Sequence, residues 1–426
     1  MKEEFLHYVW QYKLFSQGSL TTSKDESLTV IKSGIWNRNS GPDFLFAQLK
    51  INDKIWVGHV EIHVKSSDWY GHQHEVDCRY DAVILHVVYE VDMPVFIRNN
   101  QHIPTLILRD KINAKLQKSY KRLLGSHFEW VPCEKQLRSV TSFVLKNWFE
   151  RLYIERLERN VVFIKQVLNS NRNDFEETLF QLLFKSFGLK VNGDTFFELS
   201  KSLKFSILRK ERYDLIKLSA LVFGQAGFLQ GTLEGSYRKR LRDEYTYLAR
   251  KYNLQPMQKM QFQFFRMRPL NFPTIRLAQL VFLYHSNSNL FSKLITNDDV
   301  SSIYDTLRSG VDEFWKTHYT FETQSKKSDK FLTKRFIDLL IINAIVPLQF
   351  VYTQSKGAYN SNRILKTLEA LEPEKNSIIA NFSKYSIEVK NAKESQALLE
   401  LKTMYCNYKH CLNCSIGNSL LKNGIL

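Results

Sequence analysis

Two short stretches carry residues able to do chemistry together: Gly41-Pro42-Asp43-Phe44 and Val60-Glu61-Ile62-His63-Val64-Lys65. Side chains alternate across an extended strand, so His59, Glu61, His63 and Lys65 share one face and Val60, Ile62 and Val64 the other. Asp43 stands at the mouth of the preceding predicted strand. Two converging carboxylates make a hard, oxygen-rich site for Mg²⁺ or Mn²⁺, and a neighbouring His63 or Lys65 can orient or deprotonate a water. The pattern predicts metal-dependent hydrolysis, with Asp43 and Glu61 as ligands and Asp43, Glu61, His63 and Lys65 as the catalytic group. The plain alternative is a solvated strand face, with Asp43 a turn residue after Gly-Pro.

Three further clusters follow along the chain. Ser66 to Asp81 is polar and histidine-rich; His72-x-His74, with His63 or His86, could bind zinc or a second ion, or contact a phosphate. His86 lies inside the apolar run VILHVVY and reads more simply as a hydrogen-bonded core residue. Cys406-x4-Cys411-x2-Cys414, with Cys133 or His410 as a fourth ligand, has spacings that suit a structural zinc ion or an iron–sulfur cluster, against a null of buried free thiols. Arg266, Arg268 and Arg276 lie among Phe262, Phe264, Phe265 and Phe272, which could form a phosphate-and-base track or, for the aromatics, an interhelical core.

These residues need elements to hold them. Residues 1–130 read as an amphipathic helix, strands near 28–31, 44–51 and 55–64, a short helix or ordered loop over 66–81, and a buried strand at 83–89, with a possible edge strand at 95–97. Asn52-Asp53 is the predicted hairpin turn. From about residue 140 the apolar spacing becomes helical, with helices expected over 196–229, 238–252, 274–285, 301–317, 331–352, 362–371 and 394–405. The expected fold is α+β: an N-terminal mixed α/β core of order αβββαβ, followed by a mainly α-helical region. The expected domains are 1–130, a basic helical domain over 131–395, and a Cys-rich segment over 396–426.

Composition bounds the rest. The chain has 426 residues, 44% hydrophobic and 24% charged, an ordinary globular balance. Its net charge of +17 points to a polyanionic partner, with DNA or RNA ahead of an acidic membrane. Residues 1–130 contribute only +1 of that charge and the remainder +16, whereas eight of the 11 histidines fall in the first part. That division fits a chemistry-bearing front and a basic body. Five unevenly spaced cysteines argue against a disulfide framework and for a reducing compartment. With no signal-peptide pattern, and 336–352 read as a buried helix, a cytoplasmic protein without a membrane partner is expected.

The front part resembles the PD-(D/E)XK nuclease superfamily, whose core is αβββαβ. The resemblance implies an acid at the start of the second core strand, met by Asp43, and a D/E-x-K element on the third, met by Glu61. The lysine of that element falls at His63, and Lys65 could replace it. GPDF, VEIHVKSSDWYGHQH, VILHVVYE, FGQAGFL, RMRPLNFPTIRLAQL and CLNCSIGN together resemble a bacterial family, domain of unknown function 2851, which implies no activity. A metal-dependent nuclease is therefore expected. The alternative is a non-catalytic nucleic-acid-binding or assembly protein with a degenerate core.

Overall fold

The computed structural model describes residues 1–37, 39–125, 130–231, 235–258, 261–297, 299–357 and 361–422. It is α+β, with one sheet near the N-terminus and helices beyond it. The chain divides into two compact units. The first holds residues 1–148, 384–387 and 401–426, and the second 149–383 and 388–400. This differs from the division expected at 130/131 and 395/396. The change falls within the helix Ser142–Ser170, and the last 26 residues group with the first unit instead of standing apart.

The first unit opens with helix α1, Glu3–Gln11, whose Phe5, Leu6, Val9 and Trp10 are fully buried. Strands β1 (Leu20–Thr21), β2 (Ser27–Lys32), β3 (Ile35–Trp36), β4 (Phe44–Ile51) and β5 (Lys54–Lys65) follow. A short helix α2, Asp68–Gly71, then precedes β6 (Val83–Glu90), β7 (Thr105–Ile107) and helix α3 (Ala114–Gly125). The sheet runs β1-β2-β4-β5-β6-β7, with β3 also paired to β4. Strands β2, β4 and β5 are antiparallel, joined between β4 and β5 by the predicted Asn52-Asp53 turn, in which Asn52 has φ 51°. Strands β5, β6 and β7 are parallel. The edge strand is Thr105–Ile107; the expected 95–97 strand is a single bridge between Phe96 and His102.

Two irregularities lie beside the residues of interest. The β4–β5 register shifts between Phe44 and Ala47, where Phe46 has φ 55°, and the β5–β6 register shifts between His59 and Val60. Bulges of this kind twist a strand and re-aim its side chains. Between β5 and β6 the backbones approach closely at Gly58, where a Cβ would lie 2.4 Å from Ile84 Cγ2 and 2.7 Å from Ala82 O.

The second unit is helical around a core that includes Phe180, Phe184, Phe187, Leu221, Phe223, Leu280 and Ile345. Side-chain caps punctuate it: Asp174 accepts from Glu176 and Glu177 N–H, and Asp214 from Ile216 and Lys217 N–H. The continuous helix expected over 196–229 is three helices, Leu189–Ser202, Phe205–Glu211 and Leu215–Gln225. Lys334–Ser355 is the one helix long and apolar enough to cross a membrane among the described residues, and most of it is buried within the unit.

Candidate metal centre

Strand β5 supplies the first two side chains. Glu61 and His63 are only 5% and 1% exposed, so the middle of this polar face is buried while His59 and Lys65 at its ends reach solvent. The middle is covered by α1, through His7, and by the loop after β5, through His72 and His74. The loop is pinned at its start: Asp68 accepts from Lys65 N–H (2.9 Å), and Asp92, just past β6, accepts from the Ser67 N–H (2.9 Å) and hydroxyl (2.7 Å). Gln73 has φ 61°, a left-handed residue between the two histidines that turns the chain back so both rings meet β5.

The atoms that could hold an ion converge closely. His63 Nε2 lies 3.1 Å from His72 Nδ1 and 3.7 Å from Glu61 Oε1; His74 Nε2 lies 3.3 Å from the same Glu61 oxygen. One ligand atom from each of His63, His72 and His74 falls within 4.8 Å of the others. A tetrahedral ion with ligand bonds of about 2.0–2.1 Å would set its ligands roughly 3.3 Å apart. The three imidazoles are therefore grouped closely enough to share one ion, and Glu61 Oε1 lies beside two of them, His63 and His74.

A second layer orients these ligands. His63 Nδ1 is 2.8 Å from Nε2 of the fully buried His86. An Nδ1–H donated to His86 leaves the His63 Nε2 lone pair aimed at the centre. The His74 ring stacks on Tyr80 at 3.8 Å between centroids and meets the edge of Trp69 at 5.3 Å. Trp69 is completely buried and donates its indole N–H to Phe96 O (3.1 Å).

Asp43 borders the centre. Its backbone N–H donates to Glu61 Oε2 (3.0 Å), while its own Oδ2 accepts from Ile62 N–H (3.0 Å) and lies 3.0 Å from His7 Nε2. Glu3 Oε1 is 3.8 Å from the same His7 nitrogen. Glu61 thus turns one oxygen to Asp43 and the other to the imidazoles. His72, exposed, and the half-buried His7 and Asp43 form the open side.

Burial dominates the charge states. It pushes the Glu61 carboxyl up to about 9, helped by Asp43, and pushes His63 down to about 2 and His86 to about 3. His74 is also lowered by burial. His7 goes the other way: burial opposes its charge, but Asp43, then Glu3 and Glu61, outweigh that and raise it. Burial thus favours neutral His63, His74 and His86 and a protonated Glu61 carboxyl.

A family model described as a protein of unknown function, DUF2851, matches residues 3–377. The chain belongs to the DUF2851 family. No curated protein and no solved structure matches it. Every residue of the centre, from Glu3 to His86, lies inside the DUF2851 match; Cys406, Cys411 and Cys414 lie beyond it.

The other residues singled out from sequence distribute as follows. Lys65 is exposed and pairs with Glu90 at 3.8 Å. Arg266 and Arg268 are exposed, and Arg266 sits 5.0 Å over the ring of Phe265, itself 77% exposed. Arg276 is instead a buried structural group: its guanidinium donates to Asn271 (2.7 Å) and Gln279 (2.9 Å) and lies 3.6 Å from the Phe336 ring centroid. Phe262 is core, against Phe196 and Phe228. Cys133, Cys406, Cys411 and Cys414 are brought together in the first unit, whereas Cys78 is exposed. The contribution of Glu3 and His7 is legible only as an i, i+4 pair on one face of a predicted helix, with His7 36 residues before Asp43.

Proposed function

We propose that this DUF2851 protein is a metal-dependent phosphodiesterase acting on DNA or RNA, with its ion held by Glu61, His63, His72 and His74. The convergence of the three imidazoles, with the Glu61 carboxyl against His63 and His74, carries the reading. Three imidazoles and one carboxylate favour Mn²⁺, Zn²⁺ or Fe²⁺ over Mg²⁺, which prefers an all-oxygen shell. The succession α1, β2, β4, β5, α2, β6, with Asp43 opening the second of these strands and Glu61 on the third, supports the nuclease resemblance.

In this reading His63 is a ligand, not a base, because it is almost wholly buried. A bound ion would supply Lewis acidity and a water of lowered pKa. The His7–Asp43 pair, at the more open side, takes the proton of the attacking water. In-line attack on phosphorus would break the P–O bond to the ribose or deoxyribose oxygen, which takes a proton from solvent, and a bound ion would supply charge to offset that developing on the phosphoryl group. The basic second unit supplies affinity for the polyanion.

The test is hydrolysis of single-stranded DNA, duplex DNA and RNA by Mn²⁺-loaded protein. Glu61→Gln, His74→Ala and Asp43→Asn should each slow cleavage by a factor on the order of a hundred or more. Equal cleavage by folded variants would refute the assignment. One observation favours a second reading: Glu61, His63 and His74 are all under 10% exposed, the enclosure expected of a structural ion. A non-catalytic nucleic-acid-binding or assembly protein would bind the ion and show no turnover.

A further inference from the structure

Four of the five cysteines come together far from one another in sequence. Cys133 is the N-cap residue of a 3₁₀ turn, Glu134–Ser139. Cys406 ends the π-helical turn Leu401–Cys406, and Cys411 opens the 3₁₀ turn Cys411–Asn413, after which Cys414 leads into the helix Ser415–Lys422. Cys133, Cys411 and Cys414 are at most 9% exposed, and Cys406 is intermediate. The 3₁₀ turn that follows Cys133 packs against the helix Ser415–Lys422 that follows Cys414, and each of the four thiols acts electrostatically on the other three.

The surrounding backbone is shaped around the sulfurs. Lys409 adopts φ 58°, closing the turn between Cys406 and Cys411, with Lys409 N–H donating to Cys406 O (3.1 Å) and His410 N–H to Tyr405 O (2.9 Å). Gly417 passes so close that a Cβ there would lie 2.1 Å from Cys411 O. The backbone of Ile416 and Gly417, two and three residues on, acts to lower the Cys414 pKa against the burial that raises it. A lowering of this kind favours the thiolate, the form that ligates a metal. The segment before Cys133 is tied in by Lys402 Nζ, which donates to Trp130 O (2.8 Å). Lys402 acts favourably on Cys406 and Lys409 on Cys411, so two cations offset negative charge among the sulfurs. His410, left open by sequence as the fourth ligand, is exposed and turns Nδ1 to Met404 O (3.2 Å).

We propose that Cys133, Cys406, Cys411 and Cys414 form a tetrathiolate site for a structural metal centre, either a zinc ion or an iron–sulfur cluster. The site joins the 130–139 turn to the C-terminal 401–422 segment. It is separate from the Glu61–His74 centre, whose ligands are nitrogen and oxygen. Burial raises the pKa of all four sulfurs, so a metal that binds them must displace their protons.

The test uses full-length protein purified without chelator, in parallel aerobically and under strict anaerobiosis, in a His74→Ala background so that metal at the other centre does not count. Elemental analysis should find stoichiometric zinc in a colourless protein, or iron with sulfide and visible charge-transfer absorption; either supports the site and names its occupant. Cys133→Ser and Cys414→Ser should lose that metal, and Cys78→Ser should keep it. Should those variants fail to fold, thiol titration of the parent protein decides. Cys78 should react at once and the other four only after metal is released. Absence of both metals even after anaerobic reconstitution, or four thiols that react regardless of metal, would overturn the proposal.

Discussion

In metal-free protein the Glu61 carboxyl, buried and beside Asp43, keeps its proton to about pH 9. An ion must displace that proton, so apparent Mn²⁺ affinity should rise by about tenfold per pH unit between roughly pH 6 and 8. His63, held near 2, adds nothing to that slope. Competition titration should show the rise in wild type and a flat, weaker response in Glu61→Gln. The same shift affects stability: because the folded pKa lies above the unfolded value, the metal-free fold is favoured at low pH and loses that contribution as pH rises through 9. Thermal melts with chelator should therefore decline between about pH 4.5 and about 9, and added ion should remove the decline. His86→Leu stays close to the same volume but removes the acceptor for His63, and should weaken ion binding by about 10- to 100-fold. The pairing of Asp43 with Glu61 was readable from strand alternation and the Gly-Pro-Asp turn. The burial of His63 was not, because alternation says which residues share a face and not what lies upon it.

At the scale of elements, the centre depends on β5 lying tight against β6 and on the loop after β5 folding back. Gly58→Ala would place a Cβ against backbone Ala82 O, and should cost about 1–3 kcal/mol in denaturant unfolding while leaving the ligand side chains unchanged. Trp69→Ala would open a cavity behind His63 and His74, costing about 3–5 kcal/mol and weakening ion binding as well. Strands and hairpin were legible because β4 and β5 are long and flank a recognisable two-residue turn. Helix breaks were less so. The apolar spacing runs on from Phe196 to Leu229, and only the Asp214 cap marks the restart that splits it.

At the scale of the whole molecule, the basic excess lies after residue 130 and the metal centre before it. If the second unit captures a polyanion, log affinity should fall linearly with log salt, by about 0.7–0.9 per phosphate contact. Filter binding of Arg266→Glu/Arg268→Glu should show weaker affinity and a shallower slope; an unchanged slope would remove those residues from the interface. The charge asymmetry read at residue 130 does not carry over to the two units, which hold +7 and +10, because 131–148, 384–387 and 401–426 bring basic residues to the first. The return of 401–426 to the first unit had one trace in the sequence, the solitary Cys133 that could complete the distant trio, because long-range docking leaves no periodic signal.

The most direct measurement is a Mn²⁺ titration followed by electron paramagnetic resonance, since Mn²⁺ has little affinity for the cysteine site. Wild type should take up a single tight ion with nitrogen hyperfine coupling from imidazole, and Glu61→Gln and His74→Ala should take up none while remaining folded. Tight binding that survives both substitutions, or no tight binding in wild type, would contradict a metal centre at Glu61, His63, His72 and His74.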